Sequence, residues 1–479
     1  MLSVRALTDF RSTLGLGCVL DDAATLALYS SDETPRRVMP EAVLFPVSHD
    51  QVAALVQIAL EHRIPLVARG AGSGNVGGAL PVAGGVVVSF ECMNRVLEFD
   101  PDNRLMVVEA GVVTEEIDKL ARSAGLFYPP DPGSGAYCRI GGNLAMNAAG
   151  PRAVKYGVTR DFVLGLRAVT GTGQEIRTGC RTTKGVTGYD LTRLLIGSGG
   201  TLALITEATL KLLPAPEAVA TLRLCFDSNR AATEAVSRVM RQPVIPSALE
   251  FMDRHAIDAI RPTGTAEGSL RGSGAPAGVL LAGAADDLPA GTQALLMVEA
   301  DGAASDLPRQ IAALNQALNG IGLLETRAGF TPDEIARLWT ARKSLSHAVK
   351  QIAPLKINED VVVPVSRLPD FVDFLDGLAS TYHLPVVSFG HAGNGNLHVN
   401  LMVHPDDPDE MARAHACHDQ IMHQVLQLGG TLSGEHGIGT EKRRFLPLEI
   451  NAPTLAIMRG IKQQFDPHAL LNPGKLFPD

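Results

Sequence analysis

Residues 70–78 read Gly-Ala-Gly-Ser-Gly-Asn-Val-Gly-Gly, and the short stretch after them decides which folds the chain can take. Gly72, Gly74 and Gly77 satisfy the GxGxxG spacing that, in doubly wound folds, sits between a strand and a helix. A strand pattern over 65–68 does precede these glycines. Pro81 and the pair Gly84 and Gly85, however, intervene before the next apolar run at 86–90, leaving no room for a helix of several turns. The spacing therefore does not describe a Rossmann unit. What survives is a run of small residues whose backbone N–H groups can converge on a pyrophosphate as a nest of loop rather than helix. An ordinary glycine turn is the simpler alternative.

Two further segments weigh against that alternative. Residues 129–134, Pro-Pro-Asp-Pro-Gly-Ser, form a rigid turn, and residues 140–150, Ile-Gly-Gly-Asn-Leu-Ala-Met-Asn-Ala-Ala-Gly, combine close-approach glycines with a short small-residue helix. Around these loops, β-branched runs at 86–90, 105–108 and 164–170 read as strands. Residues 50–61 place Val52, Leu55, Val56 and Ala59 on one helical stripe.

At 479 residues the chain exceeds what one hydrophobic core holds, about 250 to 300 residues, so several domains are expected. Their bounds are placed at 1–215, 216–425 and 426–479. Residues 263–291, poor in charge and rich in Gly, Ala, Ser and Pro, read as a mobile surface insertion in the second. Beyond it, 294–300 reads as a strand, 307–318 as a helix, 385–403 as a strand pair and 453–465 as a helix, which implies an antiparallel sheet carrying helices.

A formal net charge of -9 leaves no basic surface for nucleic acid, so no nucleic-acid partner is expected. Apolar runs fall far short of the roughly 20 residues that span a bilayer, and the N-terminus lacks a signal pattern. These features predict a cytoplasmic protein, with loose attachment to a membrane complex still allowed. The six cysteines form no CxxC pair and are expected to be reduced and mostly buried.

The most informative stretch is 386–403, Val-Val-Ser-Phe-Gly-His-Ala-Gly-Asn-Gly-Asn-Leu-His-Val-Asn-Leu-Met-Val. Asn394 and Gly395 at its centre signal a two-residue type I′ hairpin. That turn would set His391 and His398 directly opposite one another on one face, with their Cβ atoms about 4.5 to 5.5 Å apart, and Asn400 shares the face. Far along the chain, Ser433-Gly-Glu-His-Gly-Ile-Gly439 supplies Glu435 and His436 side by side between glycines. His391, His398 and Glu435 would make a two-histidine, one-carboxylate set that leaves a coordination position open; satisfied core or turn histidines are the simpler alternative. His415, His418 and His423, with Cys417, lie on a helical pattern that does not converge on one face and read as a solvated helix surface. Arg342 and Ser346 sit one helical turn apart and Lys356 comes ten residues later, a pattern that suits either a substrate carboxylate or surface ion pairs.

Taken together, the loop from Arg69 to Asn75, Pro130 to Ser134, Ile140 to Asn143, residues 188–198 with Gly200 to Leu202, and the histidine motifs resemble the PCMH or vanillyl-alcohol oxidase type of FAD-binding flavoprotein. Within that type they resemble the glycolate oxidase subunit, D-lactate and D-2-hydroxyglutarate dehydrogenase group. The resemblance covers nearly the whole chain and implies an α+β fold: a two-subdomain FAD-binding domain, an antiparallel ferredoxin-like cap domain, and a C-terminal helical segment returning to the flavin. It assigns Arg69, Gly70, Ala71, Gly72, Ser73, Gly74 and Asn75 to the pyrophosphate. Pro130, Asp131, Ser134, Gly141, Gly142, Asn143 and Ala145 go to the flavin, Ile205 to the adenine half, and Asn472 to the C-terminal return.

The resemblance also makes His436 the catalytic base, supports His391, His398 and Glu435 as metal ligands, and gives Arg342, Ser346, Lys356 and Asn400 to the substrate. The departures are Gly199 where relatives carry an acid, Asn394 where aspartate is usual, and serine at 346 where threonine can occur. The implied reaction is dehydrogenation of a D-2-hydroxy acid of the 2-hydroxyglutarate, lactate or glycolate class. His436 takes the hydroxyl proton, hydride passes to flavin N5, and a divalent metal, zinc with manganese or iron as alternatives, assists alkoxide formation. FAD is expected to be non-covalent, since 70–78 contain no His or Cys. The electron acceptor, whether a quinone, an electron-transfer protein or an iron-sulfur subunit, is not identified by these residues, and a homodimer is compatible with them. Two alternatives stay open: a flavin-bearing subunit of a multi-subunit glycolate oxidase, and a His2Glu metallohydrolase.

Overall fold

The glycine loop's surroundings explain its lack of a helix. In the computed structural model, which describes residues 2–260 and 287–478, the strand Leu66–Arg69 enters the loop, and the next regular element is the strand Val86–Ser89. These two strands and Ala42–Leu44 pair in parallel, with Val19–Leu20 antiparallel at the edge. The helix His49–His62 covers the sheet. Ser48 caps its N-terminus by accepting from the Gln51 N–H, Arg63 ends it in the left-handed conformation, and Val52, Leu55, Val56 and Ala59 are buried, as the stripe predicted. They pack on Leu44, Leu66, Val86 and Val88. A second sheet, all antiparallel, runs in the order Val96–Asp100, Leu105–Glu109, Ala203–Lys211, Val163–Thr170, Glu175–Gly179.

Both sheets belong to one compact unit comprising residues 1–152, 156–215 and 435–479. Its C-terminal stretch adds to the first sheet: the Leu66 N–H donates to Leu470 and the Asn472 N–H to Leu66. The helix Ala452–Phe465 leads into it, capped by Asn451.

The other unit comprises residues 153–155 and 216–434. Its seven-stranded antiparallel sheet runs Leu323–Gly329, Ala218–Phe226, Ala294–Gly302, Ala248–Met252, Val386–Gly390, Asn396–Val403, Leu355–Val362. Arg254–Ile260 and Pro332–Ala348 supply Ala256, Ile257, Ala341 and Leu345 to the core on one face, against Met252, Met297 and Phe389. A capping box of Thr331 and Glu334 begins the longer helix. Most of the expected insertion, residues 263–286, lies outside the described residues. Among the described residues no helix is long and apolar enough to cross a membrane.

Three expectations need correction. The hairpin at 386–403 forms, but not through a type I′ turn, which needs positive φ at both Asn394 and Gly395. Ala392–Asn394 is a short 3₁₀ turn, and only Gly395 takes the left-handed conformation. The loop closes instead on the His391 carbonyl, which accepts from Asn394 and Asn396. As a result Phe389, not His391, is the cross-strand partner of His398. Nor is the helix Pro408–Gln427 solvated all round, since Cys417 and His418 are buried and His418 Nε2 lies 2.9 Å from Glu359 Oε1. The cysteines are all free, but only Cys138, Cys225 and Cys417 are buried, while Cys92 and Cys180 are exposed.

Gly395 carries a specific steric requirement: its φ is +74°, and a Cβ there would stand 1.9 Å from the Val363 carbonyl oxygen. Gly395→Ala is expected to lower stability by more than about 1 kcal/mol. Urea unfolding checks this, and an unchanged midpoint would show that the loop relaxes without cost.

Candidate active site

The first unit holds a cleft floored by backbone. It is lined by Ala68, Arg69, Gly70, Phe90, Ala110, Gly141, Gly142, Ala145, Gly200, Ala203 and Ile205. Six of these, Arg69, Gly70, Gly141, Gly142, Ala145 and Ile205, were singled out from the sequence. A Cβ on Gly141 would meet Ala110 at 2.9 Å, so the helix Ile140–Met146 packs closely on the turn that follows the strand Leu105–Glu109 because glycine stands there. A Cβ on Gly142 would meet nothing within 4 Å, which leaves open space before the backbone. Such a small-residue floor fits a flat ring system, and the half-buried loop 70–75 beside it fits a pyrophosphate.

The remaining predicted cradle residues divide by what their side chains touch. Arg69 lies beneath the loop rather than on its open side. Its Nη1 donates to the Ser31 carbonyl, its guanidinium stacks over Tyr29, and a Cβ on Gly72 would strike it at 2.1 Å. Burial lowers its pKa, with Asp32 opposing. Ala71, Ser73 and Gly74 continue the half-buried loop. Asn143 is buried and donates to Thr114 Oγ1 at 2.6 Å. Pro130 is buried, Ser134 offers its carbonyl to the Tyr137 and Cys138 N–H groups, and Asp131 accepts from the Arg152 N–H. The Asn472 amide donates to the carbonyls of Gly78 and Gly199, tying two cradle loops together. For these, the structure gives roles in building the cradle.

His436 belongs to this same unit, and its segment packs on the glycine loop. The Thr440 N–H donates to the Val76 carbonyl at 2.8 Å, and His436 Nε2 lies 3.4 Å from Asn75 Nδ2. Close approach requires small residues on both partners. A Cβ on Gly439 would stand 2.0 Å from Val76 O, and one on Gly77 would stand 2.2 Å from Thr440 Oγ1.

In the second unit, His391 and His398 face each other with ring centroids 5.3 Å apart and planes at 86°. Both are buried. The grouping expected from the hairpin is therefore present although the turn differs. His391 Nδ1 lies 2.5 Å from Glu250 Oε1, and Arg342 Nε donates to Glu250 Oε2 at 2.7 Å. A carboxylate accepts only, so Nδ1 carries the proton and Nε2 carries the lone pair that a metal would take. Burial would raise the pKa of the fully buried Glu250, but His391 and Arg342 beside it hold the carboxyl well below its ordinary value. His398 is the cross-strand neighbour of Asp360, with Nδ1 3.9 Å from Oδ1. Asp360 also accepts from Asn396 Nδ2, Ser433 Oγ and the Gly434 N–H. Glu435 is the residue after Gly434, so its Cα stands about 3.8 Å from that of a glycine pinned to Asp360. This donor chemistry, imidazole and carboxylate, suits a divalent metal of the zinc type.

Of the expected substrate residues, Arg342 is mostly buried, with its guanidinium over the Phe389 ring. Lys356 lies on the strand Leu355–Val362, on the face that also presents Asn358 and Asp360. Asn400 is fully buried. Its oxygen accepts from Asn358 and its NH2 donates to the Val387 carbonyl, so the sheet itself holds its amide. The Ser346 side chain lies outside the described residues. Sequence reasoning missed Glu250 and Asp360. For Glu250 the available signal was an acid on the inward face of an otherwise apolar strand, Ala-Leu-Glu-Phe-Met.

Comparison with known proteins bears on the chemistry. Residues 215–476 match the model of the C-terminal domain of FAD linked oxidases, and residues 40–179 match an FAD binding domain. The chain is 37% identical to glycolate oxidase subunit GlcD of Bacillus subtilis (strain 168), covering 95% of this chain and 93% of that protein. It is 34% identical to D-lactate dehydrogenase of Anaerostipes hadrus, covering 92% and 90%. It is 32% identical to D-2-hydroxyglutarate dehydrogenase of Stutzerimonas stutzeri (strain A1501), covering 98% of each. Among solved structures, p-cresol methylhydroxylase with substrate bound has the same fold, with a TM-score of 0.77 at 18% identity over 98% of this chain and 96% of that one. These matches run counter to the metallohydrolase alternative. The chain belongs to the FAD-linked oxidase family, in the group of the glycolate oxidase subunit, D-lactate dehydrogenase and D-2-hydroxyglutarate dehydrogenase, and is an FAD-binding oxidoreductase.

Proposed function

We propose that this protein oxidises a D-2-hydroxy acid to the 2-oxo acid, using FAD and a divalent metal. The observation that carries the reading is the second unit's polar group, in which His391, one of a facing imidazole pair, and the Arg342 guanidinium are both hydrogen-bonded to Glu250, with the ligand nitrogen of His391 defined. A 2-hydroxy carboxylate asks for those two features, a metal for the hydroxyl oxygen and a cation for the carboxylate. The three relatives' names share that substrate chemistry, since glycolate, lactate and 2-hydroxyglutarate are all 2-hydroxy acids.

When bound, FAD supplies the acceptor for the α-hydrogen and its two electrons, and the metal supplies Lewis acidity toward the hydroxyl oxygen. The chain's own residues do the rest. In the cradle, Gly70, Gly141 and Gly142, which line the cleft, would border the flavin. His391, His398 and Glu435 are the metal ligands. Arg342 and Lys356 hold the substrate carboxylate, so that one face of the α-carbon is presented. His436 takes the hydroxyl proton. Asn400, bonded to Asn358 and Val387, ties together the strands that carry Lys356 and His398.

A second reading has one specific observation in its favour: the relative at 37% identity is named as a subunit. In that case turnover with an external acceptor would require partner chains, whereas reduction of the bound flavin by substrate would not.

The purified protein is expected to be yellow and to bleach anaerobically with D- but not L-2-hydroxy acids. Chelator treatment should abolish bleaching and Zn2+ or Mn2+ should restore it; bleaching indifferent to chelator would remove the metal from the mechanism. His436→Gln is expected to slow flavin reduction by about 10²- to 10⁴-fold with FAD still bound. Stopped-flow absorbance checks it, and a rate near native would assign the proton to another group.

A further inference from the structure

We infer that Glu250 is a positioning residue that serves both halves of the substrate site, setting the ligating nitrogen of His391 with one oxygen and the orientation of Arg342 with the other. This inference rests on the reading of His391 as a metal ligand and Arg342 as a carboxylate grip.

The position itself is costly for an acid. Glu250 is fully buried in the strand Ala248–Met252, opposite Met297, and shares a sheet face with Met252, itself paired with Phe389. The surrounding core is Met252, Met297, Leu345 and Phe389. An apolar side chain would pack there without desolvating a charge, and buried ion pairs are often matched or surpassed in stability by such replacements. The carboxylate's geometry instead fits a two-sided role, in which Oε1 meets His391 Nδ1 at 2.5 Å and Oε2 meets Arg342 Nε at 2.7 Å.

Each contact constrains something the reaction needs. Accepting from Nδ1 leaves the His391 lone pair on Nε2 and fixes the ring's rotation, as carboxylates behind metal-bound histidines do. Accepting from Nε of Arg342, while Phe389 lies against the guanidinium face, leaves the Nη edge for an incoming carboxylate. Glutamine cannot replace the acid at this point. Its amide offers one acceptor and one donor, whereas His391 Nδ1–H and Arg342 Nε–H both require acceptors. Whichever way the amide turns, either the imidazole adopts the other tautomer or two donors collide.

The test uses the FAD-loaded full chain, stripped of metal by chelator, with Zn2+ binding followed by calorimetry and KM for the 2-hydroxy acid by flavin reduction. Glu250→Gln is expected to weaken Zn2+ binding by about 10- to 100-fold and to raise KM, with flavin content unchanged. Arg342→Met is expected to raise KM while leaving Zn2+ affinity within about twofold of native. Should Glu250→Gln fail to fold, the pair Glu250→Leu with Arg342→Met removes the acceptor of His391 Nδ1–H without leaving a buried guanidinium unpaired, and should show the same loss of Zn2+ affinity relative to Arg342→Met alone. Native Zn2+ affinity in the Glu250 variants would overturn the inference while leaving the metal reading intact. Native protein that takes up no Zn2+, Mn2+ or Fe2+ would overturn both.

Discussion

The buried carboxylate of Asp360 organises the second unit's polar group. Donors from two segments converge on it, among them the Asn396 amide at the start of one hairpin strand, and the Ser433 hydroxyl and Gly434 N–H at the end of the segment leading to Glu435. Hydrogen bonds to a charged acceptor contribute roughly 1.5 to 3 kcal/mol each, so an apolar residue here would release both segments together. The paired bonds between Val362 and Thr431 align the same segment along the neighbouring strand. His398 sits across from Asp360 in register, which makes the acid that anchors the chain also the acid beside one metal-type histidine.

In the first unit the equivalent constraint is backbone proximity. Gly439 against the Val76 carbonyl and Gly77 against Thr440 leave no room for a Cβ. Side chains returning from the C-terminus then take up the loop carbonyls exposed by this arrangement. Asn472 holds Gly78 and Gly199, and the buried Lys475 ammonium donates to Gly78, to Leu80 and to the Asn472 oxygen. Burial draws the Lys475 pKa down to about 7, with Asp32 opposing and Arg36 adding to the fall. A cleft whose floor is main chain thus owes its shape to side chains that never enter it.

Local patterns were legible wherever a single element carried them. The helix His49–His62, the strands Leu66–Arg69 and Val86–Ser89, and the helix Leu307–Leu318 appear where the apolar patterning put them. The hairpin shows why a partly wrong premise still led to the right pair of histidines. Replacing a two-residue turn by a wider one moved the partner of His398 from position 391 to 389, an even step, so the face was preserved. His418 shows the opposite case. Its surroundings looked solvated because the acid it meets, Glu359, lies on a strand far away in sequence.

The order of residues alone is enough to specify the elements, the absence of a Rossmann crossover and the residue types capable of flavin and metal chemistry, because glycine conformational freedom, strand alternation and helix periodicity all act over a few residues. Which polar side chains build the site, and which present themselves to a ligand, was settled by the packed fold. Glu250 came to His391 across 141 positions, and the amides of Asn143, Asn400 and Asn472 turned toward protein partners. Those choices follow from satisfying every buried donor and acceptor at once, a condition on the interior that no stretch of chain contains by itself.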